Sequence, residues 1–141
     1  MTDPHVLTVR NPWAWAIATG EKDVENRTWL THFRGPIAIH AGLAYDMEAS
    51  NFGPMMRLMN ERDVRHSQQG SQLVRGAIVA VGELVDVVRD SDSRWAMPDC
   101  YHWLLANVRP LATPIPYKGS LSLSRLADRA REEIEKEVLF A

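Results

Sequence analysis

Gly76-Ala77-Ile78-Val79-Ala80-Val81-Gly82-Glu83-Leu84-Val85-Asp86-Val87-Val88 is the most strand-like run in the chain. Its β-branched residues suit a pleated, half-buried surface. The run is long enough to curl around a small barrel, and Gly76 and Gly82 mark places where a strand bends or bulges. Working outward, Ile37-Ala38-Ile39-His40-Ala41 reads as a buried strand, apolar on both faces, with His40 near its end. Tyr101 to Arg109 reads as another strand, and Val6 to Val9 as a short one. Pro110, Pro114 and Pro116 predict an extended, irregular segment, and Lys118-Gly119 a turn. The region 43–74 reads as an insertion: Gly53-Pro54 breaks it, Met55 to Met59 suits a helix, and Arg62 to Ser71 is a polar loop. Residues 124–141 read as a C-terminal helix, because Leu126, Ala130, Ile134 and Val138 recur every four residues. The expected class is α+β: a small, partly closed, mixed β-barrel with peripheral helices.

Composition narrows the function. The chain has 141 residues, so one domain is the expectation. Its net charge of -2 supplies no global pull onto nucleic acid, so any nucleic-acid site must be a local basic patch. Cys100 is the single cysteine, which excludes an internal disulfide and a cysteine-cluster metal site. The first residues lack a basic segment followed by an apolar run, and no apolar stretch reaches bilayer length. The expectation is a cytoplasmic protein with no membrane partner, no metal and no cofactor. A phosphate-binding Gly-rich loop, a Gly-x-Ser-x-Gly elbow and a His-Glu-x-x-His site are all missing from the sequence.

The densest chemistry lies in Asn11 to Trp29, which holds three of the five Trp with Lys22, Glu25, Asn26 and Arg27. Asn11 is a good N-cap, Pro12 suits the first helical position, and Gly20 suits a left-handed stop, so a short helix is predicted. Asp23 to Trp29 then reads as extended. Alternation puts Glu25, Arg27 and Trp29 on one face and Val24, Asn26 and Thr28 on the other. Indole faces beside Lys and Arg are what a pocket for a flat, anionic, nucleotide-like ligand uses.

Arg10-Asn11-Pro12-Trp13-Ala14, Gly20-Glu21-Lys22-Asp23-Val24-Glu25-Asn26-Arg27-Thr28-Trp29, Arg34-Gly35-Pro36-Ile37-Ala38-Ile39-His40-Ala41, Gly76 to Leu84, Tyr101-His102-Trp103 and Pro114-Ile115-Pro116-Tyr117-Lys118-Gly119 follow one another in order. This layout resembles the ASCH family, a branch of the PUA-like superfamily, whose Gly-x-Lys-x-x-Glu-x-Arg core is complete here. The resemblance implies a PUA-like barrel over residues 1–141, with the 43–74 insertion and the 124–141 helix added to it. It also implies a cleft beside the first helix and binding of RNA or a nucleoside or nucleotide. Some members are similar to amidohydrolases of N4-acetylcytidine, and one branch is nuclease-like. The amidohydrolases use a lysine in this segment, a threonine at the position of Glu25, and a more distant glutamate; Asp99 lies in that region here.

The candidate ligand-binding residues are Trp13, Lys22, Glu25, Asn26, Arg27, His40, Trp103 and Lys118; Lys22 and Glu25 are the candidate catalytic pair if the protein is an enzyme. Lys22 is read either as a phosphate-binding charge or as an amine that must be neutral to react. Glu25 and Arg27, roughly 7 Å apart along a strand, form either a site pair or a structural pair. Trp13 is assigned to the ligand wall and Trp15 to the core. His40 is either a hydrogen-bonded core histidine or a cleft residue. Arg57, Arg62, Arg65 and His66 form either a nucleic-acid lid or a solvated loop. An interaction module with exposed Trp is a further class.

Overall fold

The computed structural model describes residues 2–65 and 73–140. Residues 66–72, with His66 and most of the polar insertion loop, lie outside the described residues. Six strands form one sheet: β1 (His5–Asn11), β2 (Val24–Arg27), β3 (Gly35–Tyr45), β4 (Ala77–Val88), β5 (Tyr101–Pro116) and β6 (Ser124–Arg125). Their spatial order is β2-β5-β4-β3-β1-β6. β1 runs parallel to β3, and every other pair is antiparallel.

Among the described residues the sheet is not closed, so the expected partly closed barrel is met only in its mixed α+β composition and six-stranded sheet. β2 and β6 are its two edges. With four and two residues respectively, they are too short to zip the sheet shut. A side chain spans the seam where a ladder is missing: Arg27 Nη2 on β2 donates to the carbonyl of Thr8 on β1 at 2.8 Å. The sheet therefore curls until its β2 edge faces β1, and the seam between them stays open as a cleft.

Local chemistry explains the elements around that seam. α1 (Trp13–Ala18) follows a cis Asn11–Pro12 peptide. Pro12 takes the N-cap position, one residue earlier than its predicted place inside the helix, and Asn11 Oδ1 instead accepts from the Trp15 N–H at 3.2 Å. Gly20 has φ +86°, the left-handed backbone that ends a helix at little cost for glycine. β5 departs from expectation by running straight through its prolines to Pro116. Its pairing with β4 breaks register three times, and the break between Pro110 and Ile115 spans Pro114, which cannot donate to a ladder.

Three apolar clusters hold the sheet. α1 packs Ala14 and Ile17 onto Leu7, Ile37, Ile39, Leu84 and Trp103. α3 (Asp128–Glu135) is shorter than the predicted 124–141 helix, because Ser124 and Arg125 pair with β1 as β6. The apolar residues still face one way: Leu126, just before α3, and Ala130 and Ile134 within it bury against Val6, Ile78 and Val81. Within the insertion, a 3-10 turn (Met47–Asn51) leads into α2 (Gly53–Glu61), whose Met55, Leu58 and Met59 pack with Ala16, Val24 and Trp95. Each fully buried Leu, Ile or Met contributes about 1.5–3 kcal/mol. No helix among the described residues is long and apolar enough to cross a membrane.

Candidate functional site

The open seam forms a cleft of about 430 Å³, lined on one side by Thr8, Val9 and Arg10 of β1 and on the other by Glu25, Asn26 and Arg27 of β2. Trp13, Lys22, Asp46, Met97, Ser120 and Leu121 complete it. That size suits a small organic ligand.

The floor is a charge network built from one short stretch. Lys22 follows the turn after α1, where its N–H donates to Ala16 O at 3.2 Å, and its side chain folds inward until it is 1% exposed. Its Nζ donates to the Val24 carbonyl and, at 2.9 Å, to Glu25 Oε1. From the other side, Arg27 Nε and Nη2 reach Glu25 Oε2 at 3.0 and 2.9 Å. Strand alternation puts Glu25 and Arg27 on one face, and the preceding turn delivers Lys22 to the same carboxylate. Burial pushes the Glu25 carboxyl upward. The charges of Lys22 and Arg27, with their hydrogen bonds, outweigh it and hold the group below its ordinary value of 4.5.

Trp13 forms a wall above this floor. Its ring centroid lies 5.6 Å from Lys22 Nζ, a cation–π contact, and its indole N–H donates to Asp46 Oδ2 at 2.9 Å. The same carboxylate meets Arg10 at 3.6 Å. Opposite, Asn26 staples the loop before β5: its Nδ2 donates to Trp95 O at 2.9 Å, and its Oδ1 accepts from the Met97 N–H at 3.0 Å. This tie fixes Met97 at the rim.

A hydrogen-bonded chain carries the remaining rim. His40 Nε2 donates to Tyr117 O at 2.7 Å, since a carbonyl only accepts. Its Nδ1 then accepts from Thr8 Oγ1 at 3.1 Å, and Thr8 Oγ1 accepts from the Ser120 N–H at 3.1 Å. Burial lowers the His40 pKa from 6.5, and the Tyr117 carbonyl only partly opposes it. The neutral ring with its proton on Nε2 satisfies both of these hydrogen bonds.

Trp13, Lys22, Glu25, Asn26 and Arg27 thus meet in one cleft, while His40, Trp103 and Lys118 stand outside its lining. His40 is buried beneath Thr8 as a hydrogen-bonded core histidine. Trp103 is fully buried, edge-on to Trp29, and donates its indole N–H to Trp29 O at 3.2 Å. Lys118 is exposed on the turn after β5. Cys100 and His102 do not form a nucleophile–base pair. His102 Nδ1 accepts from the Ser91 N–H and its Nε2 donates to Met97 O, so neither ring nitrogen is free for the thiol. Burial raises the Cys100 thiol pKa, which keeps it protonated. Thr8, Arg10, Asp46, Met97, Ser120 and Leu121 also line the cleft, and they lie outside the residues that the sequence marks as candidates. Of these, Arg10 carries a local signal in the sequence, a cation directly before the aromatic helix. Among the described residues, no three His, Cys, Asp or Glu side chains are grouped to hold a metal ion.

The chain belongs to the ASCH domain family, which it matches over residues 7–115. That family is associated with RNA binding. Activating signal cointegrator 1 of Homo sapiens is 24% identical over 139 residues, and that of Mus musculus 23%. Each match covers 92% of this chain and 23% of the relative, so the chain spans under a quarter of the length of these relatives. Among solved structures, ASCH from Zymomonas mobilis superposes with a TM-score of 0.58 at 16% identity, covering 99% of this chain and 96% of that one. A single-substitution variant of that protein gives a TM-score of 0.59 at 14% identity, covering 95% of each chain. At these identities the likeness shows the fold alone.

Proposed function

We propose that residues 1–141 act as one ASCH domain that binds RNA or a nucleotide base in the seam cleft. The observation that carries this reading is the pairing of a wall and a floor: an oriented Trp13 face above cationic donors from Arg10, Lys22 and Arg27. An indole face suits a base, and guanidinium groups suit phosphate. The donors are not equivalent. Lys22 has two of its three N–H bonds committed inside the protein, so it orients Glu25 and supplies charge from below. Arg10, 61% exposed, and Arg27, whose Nε and Nη2 are held by Glu25 and Thr8 at the cleft wall, are the groups best placed to meet phosphate.

One observation favours a second reading, amide hydrolysis of an N4-acetylcytidine-type nucleoside: Lys22 is a buried amine at the cleft floor beside a carboxylate. The electrostatics argue against it. A reacting amine must turn a lone pair to its substrate, and Lys22 Nζ is turned as a donor to the Val24 carbonyl and Glu25 Oε1. Glu25 in turn, its pKa lowered by two cations, is a weak general base. Binding is therefore the better supported of the two.

Incubation with single-stranded RNA and, separately, with N4-acetylcytidine tests the choice. The binding reading predicts intact RNA, affinity that falls with salt and with Arg27→Ala, and no release of cytidine. Cytidine release that Lys22→Ala abolishes would establish the hydrolase instead. RNA fragments lost in the same variant would establish a nuclease.

A further inference from the structure

Leu121 is 100% exposed, yet it lines the same cleft as Trp13 and Met97. A single exposed leucine is ordinary on a protein surface, so exposure alone decides nothing. The support beneath Leu121 sets it apart. One residue earlier, the Ser120 N–H is tied to Thr8 Oγ1 at 3.1 Å, and Ser120 Oγ donates to Ser122 O at 2.9 Å. Gly119 lies so close to β1 and β3 that an added Cβ would stand 2.9 Å from both His40 Cε1 and Thr8 Oγ1. Two residues further back, the Tyr117 carbonyl is held by His40. The backbone is thus pinned at Tyr117 and Ser120, and the apolar side chain that follows is presented at the cleft mouth.

The polar groups of the cleft point to what Leu121 would meet. Asn26 spends both ends of its amide on the loop before β5, Glu25 receives Lys22 and Arg27, and the Trp13 indole N–H is bound to Asp46. Few uncommitted groups remain to read the edge of a base. Its faces are what the cleft can hold, and a base has two.

We infer that Leu121 is the second wall of a base-sandwiching site: the base of a bound nucleotide lies between the Trp13 ring and the Leu121 side chain, with its phosphate toward Arg10 and Arg27. This inference rests on the nucleotide-binding reading above. It adds that recognition is by face rather than edge, so the site accepts different bases with similar affinity.

Two probes of equal length separate the claims: a single-stranded oligoribonucleotide and the same sugar–phosphate backbone without bases, both titrated at low salt. Leu121→Ala, at a fully exposed position, leaves the fold intact. It should weaken the base-bearing probe by about fivefold to tenfold and leave the abasic probe unchanged, since it removes apolar contact but no charge. Arg10→Ala should weaken both probes. Equal affinity of wild type and Leu121→Ala for the base-bearing probe would overturn the sandwich, and so would an equal loss on both probes. If Arg10→Ala still weakened both, nucleotide binding itself would stand. Failure of the wild-type protein to bind either probe would overturn both claims.

Discussion

Two charge networks in this protein use the same residue types and differ in nearly everything else. At the seam, Lys22 and Arg27 share the Glu25 carboxylate in a pocket where that carboxylate is 8% exposed. At the far edge, Asp3, Arg125 and Asp128 pair across β6 and the start of α3 with side chains 52–73% exposed. Geometry is similar, with N–O distances of 2.9 to 3.1 Å in Lys22–Glu25, Arg27–Glu25, Arg125–Asp3 and Arg125–Asp128. The difference is water. Exposed pairs are screened and contribute little, whereas a buried pair is costly to assemble and costlier to break, because the survivor is left unpaired. A fold has little thermodynamic reason to bury two charges and half-bury a third at an open edge. Their location at the cleft, where a ligand would complete the shell, is the strongest physical sign that this edge has a task.

Breaking the buried network gives the largest predicted effect. Glu25→Ala leaves Lys22 buried without its carboxylate and should destabilise the protein by about 3–5 kcal/mol in urea or thermal unfolding. An unfolding midpoint within experimental scatter of wild type would show that Lys22 simply swings into solvent.

Acid titration sharpens the same contrast. The native Glu25 carboxyl lies below its ordinary 4.5, so its contribution to stability is complete above pH 4.5 and is lost as pH falls from there through the native value. The Asp3 carboxyl is also lowered, first by its hydrogen bond with Arg125 and then by that residue's charge, and the same sign applies. The two should separate in salt. Urea melts from about pH 6 to pH 3 should retain the Glu25 component in about 0.5 M salt and lose the Asp3 component, because only the exposed pair is screened. Equal sensitivity of Glu25→Gln and Asp3→Asn to salt would remove the distinction.

A smaller effect is expected at the rim. Gly119→Ala inserts a methyl against His40 and Thr8 and should push the Ser120–Leu121 backbone outward. RNA affinity should fall several-fold, with only a modest drop in melting temperature. Unchanged affinity would mean that the position of this loop is immaterial to binding. The smallest effect is predicted for Arg125→Ala, whose thermal midpoint should match wild type within replicate error.

The cleft was legible in the sequence wherever its parts are contiguous. Trp13, Lys22, Glu25, Asn26 and Arg27 come from one helix–turn–strand unit, and strand alternation alone pairs Glu25 with Arg27. The inward fold of Lys22 was not legible, because it follows a turn where alternation assigns no direction. Nor was the role of Asn26, a natural candidate for reading a base edge, which spends its amide on a loop some 70 residues away in the chain. Thr8, Asp46, Ser120 and Leu121 reach the site only through tertiary packing, and no local pattern marks them. The sequence predicts a barrel closed only in part, but how far it closes is not legible: strand strength is a local property, whereas closure depends on two short edges, β2 and β6, that are far apart in the chain. Prolines misled at β5, where pairing resumes beyond an irregular stretch that β5 carries between Pro110 and Ile115.

The most direct test of the nucleotide-binding cleft is a salt titration of single-stranded RNA affinity, by fluorescence anisotropy, for wild type and Arg10→Ala. The cleft as described predicts that log affinity falls linearly with log salt, by about 0.7 for each phosphate contacted, and that Arg10→Ala lowers the slope by about one such step. RNA that does not bind, or binds with the same slope in both proteins, would contradict it.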